Sequence, residues 1–241
     1  MKNIISLFMI LSFMTISFSH LKVSLKEARN KNLYHKRINK IKKATVMVIQ
    51  YLGNEKFSFG SGFLLHIKET NTSFIMTNAH VCINDFPKYV KDKNYREKTF
   101  PQKDLKLNIQ GKTGFHFVQT KGSSLGINYK QDVCLIPVNK KDFSKKDFAF
   151  IDSRSKKEVK EYVKEKENSL MLFTLNHAQR GEVLIKKGFF KTYETPRFQK
   201  LNDAVAYFRD RGALSTIDVI PGDSGSAIVD QNLDLVGIAY G

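Results

Sequence analysis

Three residues of this 241-residue sequence form a chemical set: His80, Asp132 and Ser224. A serine hydroxyl is a weak nucleophile near neutral pH. It needs an adjacent base to take its proton, and that base needs a carboxylate to fix its tautomer and stabilise its charged form. Ser224 lies in Pro221-Gly222-Asp223-Ser224-Gly225-Ser226, between two glycines and directly after an acidic residue, with the apolar run Ala227-Ile228-Val229 behind it. Such a turn is expected to hold the serine out of the packing, and Gly222 lets the backbone approach a ligand closely. The amides of Gly222 and Ser224 would then converge on one point as an oxyanion hole. An ordinary Gly/Asp/Ser turn between two strands has the same composition, so the surrounding elements must decide.

Each of the three stands at a strand end. His80 follows the apolar strand 73–77 through Asn78-Ala79, where the chain leaves a sheet. Asp132 opens the run Val133-Cys134-Leu135-Ile136-Pro137-Val138. A carboxylate at the mouth of a buried strand must find a partner, because burying it unpaired is costly, and a histidine N–H suits it. The other histidines, His20, His35, His66, His116 and His177, have no such context and read as structural or surface residues.

Strand texture begins at Ala44–Tyr51 and continues, after the turn Gly53-Asn54, over 57–65, where Gly60-Ser61-Gly62 signals a bulge or a close backbone approach. Residues 83–104 are charged and carry Pro87 and Pro101, which predicts a long surface excursion with a helical turn. Short strands follow at 105–110 and 115–120. A lysine- and glutamate-rich linker occupies 141–168. Beyond it, strands are expected at 170–175, 182–185, 188–193, 204–208, 215–219, 226–229 and 235–240. Strands, linker, strands describes an all-β protein in two barrel-like halves, residues 44–140 and 169–241.

With 41% hydrophobic and 12% aromatic residues the chain can bury a sizeable core. Its net charge of +17 is spread as lysine along the whole length, with no arginine-rich helix, aromatic stacking motif or zinc-finger spacing, so specific nucleic-acid binding is not expected. Two cysteines, Cys82 and Cys134, either form one bridge or stay free, and neither a metal nor a cofactor is expected. Residues 1–19 combine a positive start, an apolar run from Ile4 to Phe18 and Ser17-Phe18-Ser19, the pattern of a secretory signal peptide. The expected location is secreted or periplasmic, with no stable membrane span after cleavage. Residues 20–43 are polar and basic and read as an N-terminal extension or propeptide.

The blocks Thr77-Asn78-Ala79-His80-Val81-Cys82, Asp132-Val133-Cys134-Leu135-Ile136 and Gly222-Asp223-Ser224-Gly225-Ser226 together resemble the three signature blocks of trypsin/chymotrypsin-like serine endopeptidases. The order His–Asp–Ser agrees, where nucleophile-elbow hydrolases run Ser–Asp–His and subtilisins Asp–His–Ser. Gly60-Ser61-Gly62-Phe63 and Leu235–Gly241 resemble the flanking blocks, and within the family the bacterial, viral and fungal branch, glutamyl-endopeptidase-like or HtrA-like, is the nearer.

The resemblance implies two antiparallel six-stranded β-barrels of chymotrypsin-like type. It implies peptide-bond hydrolysis in protein or peptide substrates through His80, Asp132 and Ser224, with Gly222 and Ser224 as the oxyanion hole. A catalytically impaired homologue acting as a basic binding protein is the alternative. Asp218 falls where trypsins bind basic side chains, or else caps a turn, and Tyr240 lies on the strand expected to pair with the substrate backbone. The family's usual N-terminal partner for Asp223 has no counterpart motif here. Because the sequence stops at Gly241, the second barrel is expected either to be truncated or to close differently.

Overall fold

The computed structural model describes residues 32–152, 171–177, 183–192, 214–215, 220, 222–230, 233 and 235–240. By compactness the chain divides into residues Met1–Asn39 and Lys40–Gly241. In the first unit residues 32–39 are helical; the second opens with helical residues 40–44 and carries both sheets. The signal-peptide reading of residues 1–19 lies outside the described residues.

The larger sheet is built from β1 (Thr45–Gly53), β2 (Lys56–Ile67), β3 (Thr72–Thr77), β4 (Asp104–Gln110), β5 (Phe115–Lys121), β6 (Gly126–Asn128) and β7 (Val133–Val138). Their order is β5-β4-β1-β2-β3-β7-β6, every neighbour antiparallel. The short strand β8 (Ile151–Asp152) lies parallel to Leu65–His66 of β2, so this sheet draws on a segment that the charge pattern assigns to the linker.

Period-2 alternation explains the inward face. Val46 and Val48 of β1, and Leu105, Leu107 and Ile109 of β4, are buried, with lysine and asparagine between the latter. Asn54 and Glu55 close the β1–β2 hairpin with φ of 50° and 60°, the paired left-handed residues of a type I′ turn. β2 runs straight through Gly60-Ser61-Gly62 without a bulge. What these glycines provide is close approach, since a Cβ at Gly62 would stand 3.0 Å from Val48 Cγ2 and 3.1 Å from the Met76 carbonyl.

Residues 83–104 are not a surface excursion. A helix (Phe86–Lys91), a π-helical turn (Tyr95–Thr99) and a 3-10 turn (Phe100–Gln102) bury Phe86, Tyr89, Val90, Tyr95 and Phe100 in the core of the large sheet. Tyr89 meets Phe100 edge-on at 5.0 Å between ring centroids. Arg96 donates to the carbonyls of Tyr89 and Val90, at 3.0 Å each, and lies over the Tyr129 ring. The charges that suggested a solvated loop thus alternate with aromatic anchors, and one of them caps the helix from outside. Burial raises the phenol pKa of Tyr89 above its ordinary value, although the Arg96 charge opposes it.

The second sheet has the order β11-β10-β9-β12-β13, from β9 (Met171–His177), β10 (Val183–Thr192), β11 (Leu214–Ser215), β12 (Ala227–Asp230) and β13 (Leu235–Ile238). The strands expected at 182–185 and 188–193 are one continuous strand, β10, with Lys186-Lys187 in its middle. The strand expected at 204–208 falls outside the described residues. The architecture is therefore mostly β, with a large curled antiparallel sheet and a smaller second one.

Candidate active site

The chain leaves β3 at Thr77 and turns at once into a single helical turn, Ala79–Cys82, which carries His80. Asp132 precedes β7 with φ at +51°, a left-handed backbone that Asp tolerates better than most residues. From there it caps the turn twice over. Its carbonyl accepts from the Ala79 N–H at 3.0 Å and from Asn78 Nδ2 at 2.9 Å. Its carboxylate accepts from the His80 backbone N–H at 2.9 Å through Oδ1, and from His80 Nδ1–H at 2.6 Å through Oδ2.

Asp132 is 1% exposed, and these hydrogen bonds to it come from residues 78–80. With Nδ1 donating to the carboxylate, the ring's Nε2 is left as the nitrogen that can accept a proton. The β3–β7 register, with Thr77 opposite Cys134, sets the two residues at the same end of adjacent strands. A disulfide joins Cys82 to Cys134, two residues beyond each of them. Gln50 adds a buried bond of 2.9 Å from Nε2 to the Cys82 carbonyl.

Ser224 lies in a turn wedged against β2. The Ser61 N–H donates to the Ser224 carbonyl at 2.8 Å, and Ser61 Oγ donates to the Gly222 carbonyl at 2.7 Å. Gly222 and Gly225 have φ of +100° and +90°, which only glycine adopts without strain. Gly225 has a second reason to be glycine, because a Cβ there would collide with the Ser61 carbonyl and Thr77 Oγ1. These contacts leave Ser224 6% exposed, far less than its Gly/Asp/Ser turn predicts: strand β2 packs directly on the turn.

Gly60 links the histidine and serine segments. A Cβ at Gly60 would stand 2.5 Å from Val81 and 3.3 Å from the Ser224 carbonyl. Tyr240 approaches from the other side. Its ring meets His80 edge-on at 6.2 Å, while the neighbouring Ala239 carbonyl accepts from the Gly225 N–H at 3.0 Å. Burial raises the Tyr240 phenol pKa above its ordinary value, and the Asp132 charge raises it further. Phe86 reaches the His80 ring as well, at 6.3 Å.

Asp223, beside Ser224, receives Lys186 Nζ of β10 at 2.6 Å and the Ile220 N–H at 3.0 Å, both on Oδ2. The lysine's only sequence trace is that it interrupts an apolar strand. Asp218 lies outside the described residues. Among the described residues no group of His, Cys, Asp or Glu is placed to hold a metal ion, and no helix is long and apolar enough to cross a membrane.

No family profile matches the sequence, and no curated protein matches it. Solved structures do. A crystal structure of Deg5 aligns over 88% of this chain and 84% of its own, with a TM-score of 0.50 at 16% identity. The HtrA-type protease AlgW, with a tripeptide, aligns over 85% of this chain with a TM-score of 0.54 at 14% identity. The serine endoprotease from Yersinia pestis aligns over 85%, with a TM-score of 0.51 at 15% identity. The chain spans about half the length of these last two, 53% and 56%. At such identities the likeness establishes a shared fold, that of HtrA-type serine proteases.

Proposed function

We propose that this protein is a serine endopeptidase in which His80, Asp132 and Ser224 form the triad. The observation that carries the reading is the buried Asp132 carboxylate bonded to His80 Nδ1 at 2.6 Å, which leaves Nε2 as a base. Ser224 Oγ attacks the scissile carbonyl while Nε2 takes its proton. The imidazolium is stabilised by Asp132 and passes the proton to the leaving amine as the C–N bond breaks. Water, activated by the same nitrogen, then hydrolyses the acyl-enzyme. The amides of Gly222 and Ser224 hold the oxyanion, supported by the left-handed backbone of Gly222.

The shared fold supports this chemistry, as does the tripeptide in the AlgW structure, which favours a peptide substrate. The finer reading belongs to the same proposal: a chymotrypsin-like pair of six-stranded barrels, HtrA-like in branch, with Tyr240 and Asp218 on the substrate side. Export is proposed from residues 1–19, and the Cys82–Cys134 disulfide supports an oxidising compartment.

A fluorophosphonate probe tests the function. The parent should be labelled on Ser224, and Ser224→Ala and His80→Ala should not. Peptide hydrolysis should fall by up to about 10⁶-fold in Ser224→Ala. Equal labelling of the parent and Ser224→Ala would remove Ser224 from the mechanism.

A further inference from the structure

Lys186 stands in the centre of β10, opposite Thr174 of β9, with its side chain 22% exposed. Asp223, whose side chain is 4% exposed, receives its ammonium at 2.6 Å. The carboxylate oxygen that takes Lys186 also accepts from the Ile220 N–H. The Asp223 backbone closes the same turn from both ends, its N–H donating to the Ile220 carbonyl at 2.9 Å and its carbonyl accepting from the Ser226 N–H at 3.0 Å. Within these bonds lie Gly222 and Ser224. A buried carboxylate without its cation is strongly disfavoured. Removing the ammonium would therefore draw Asp223 toward water and open the turn that carries Gly222 and Ser224.

We propose that Lys186 is a positioning residue for the Ser224 turn: through Asp223 its ammonium holds the Gly222 and Ser224 amides where an oxyanion is received. The inference rests on the serine endopeptidase reading. It adds that the turn is set by a lysine on an internal strand, so that folding alone shapes it and no freshly cut chain end is needed. Lys186 acts through Asp223, which its ammonium meets at 2.6 Å.

The test uses the full chain, its N-terminus verified by mass, and the saturation kinetics of a fluorophosphonate probe. The intact parent is expected to label at its full rate. Lys186→Met should lower the maximal labelling rate by roughly 100-fold, the scale for a lost oxyanion donor, while the probe's half-saturating concentration stays near that of the parent and the thermal melt, though lower, stays cooperative. Lys186→Arg, which keeps the cation, should recover most of the rate. Should Lys186→Met fail to melt cooperatively, Asp223→Asn breaks the pair from the other side and should show the same fall in maximal rate.

A parent that labels, with variants that label equally fast, overturns the inference and leaves the proposed function standing. A parent that labels only after N-terminal cleavage also overturns it alone. A parent that never labels overturns the proposed function, and the inference with it.

Discussion

The hydroxyl of Ser61 donates to the carbonyl of Gly222 at 2.7 Å, tying the middle strand of the large sheet to the turn that holds Ser224. Ser61 is fully buried and Gly222 half-buried, so an alanine there removes the donor from a partly buried carbonyl. Ser61→Ala should destabilise the protein by about 1–3 kcal/mol, read as a lower urea midpoint with an unchanged slope. It should also slow phosphonate labelling of Ser224, and an unchanged labelling rate would show that Ser61 only supports the fold.

The disulfide closes a loop of 52 residues. On the chain-entropy account its removal costs about 4 kcal/mol. Cys82→Ser/Cys134→Ser should therefore melt well below the parent. Because the bridge also anchors the segments that carry His80 and Asp132, labelling should slow below the melting range as well. A double variant with the parent's labelling rate would confine the bridge to a stabilising role.

Tyr240 supplies a spectroscopic handle. Its phenol is raised by burial first and by the Asp132 charge second. Asp132→Asn removes the second cause, so the Tyr240 titration, isolated by difference against Tyr240→Phe in the ultraviolet, should move down toward the ordinary range and stop short of it. The sign is fixed: a folded-state value above the unfolded one means the neutral phenol is favoured, and that contribution to stability is lost as pH rises through the titration. A Tyr240 titration indifferent to Asp132→Asn would contradict the arrangement around His80.

Phe100 separates a core segment from a surface loop. Phe100→Ala should cost about 3–5 kcal/mol, because the ring is 3% exposed and packs on Tyr89 and Tyr95. A surface phenylalanine would change stability by only about half a kcal/mol. Denaturant midpoints at matched slopes decide between the two.

What could be read in the sequence were local features. His80 and Asp132 each stood at the end of an apolar strand, and their meeting follows from two neighbouring strands sharing one end. The glycines around Ser224 announced a special backbone, and both Gly222 and Gly225 have positive φ. Lys186 could not be found this way. Its partner is 37 residues away, and its reach depends on where β10 lies beside the serine turn, a tertiary fact that periodicity does not encode. Residues 83–104 misled for a related reason. Charges and prolines there sit between aromatic anchors in short mixed helical turns, so no single period marks the buried face. The burial of Ser224 was equally hidden, since it comes from the packing of β2 across the turn.

The place of Ser224 in the chain has a consequence for biosynthesis. Residues 45–138 contain the whole main path of the large sheet, the disulfide and the His80–Asp132 pair. Domains form as units from the N-terminal side during synthesis. A nascent chain can thus set His80 against Asp132 while Ser224 has yet to be translated.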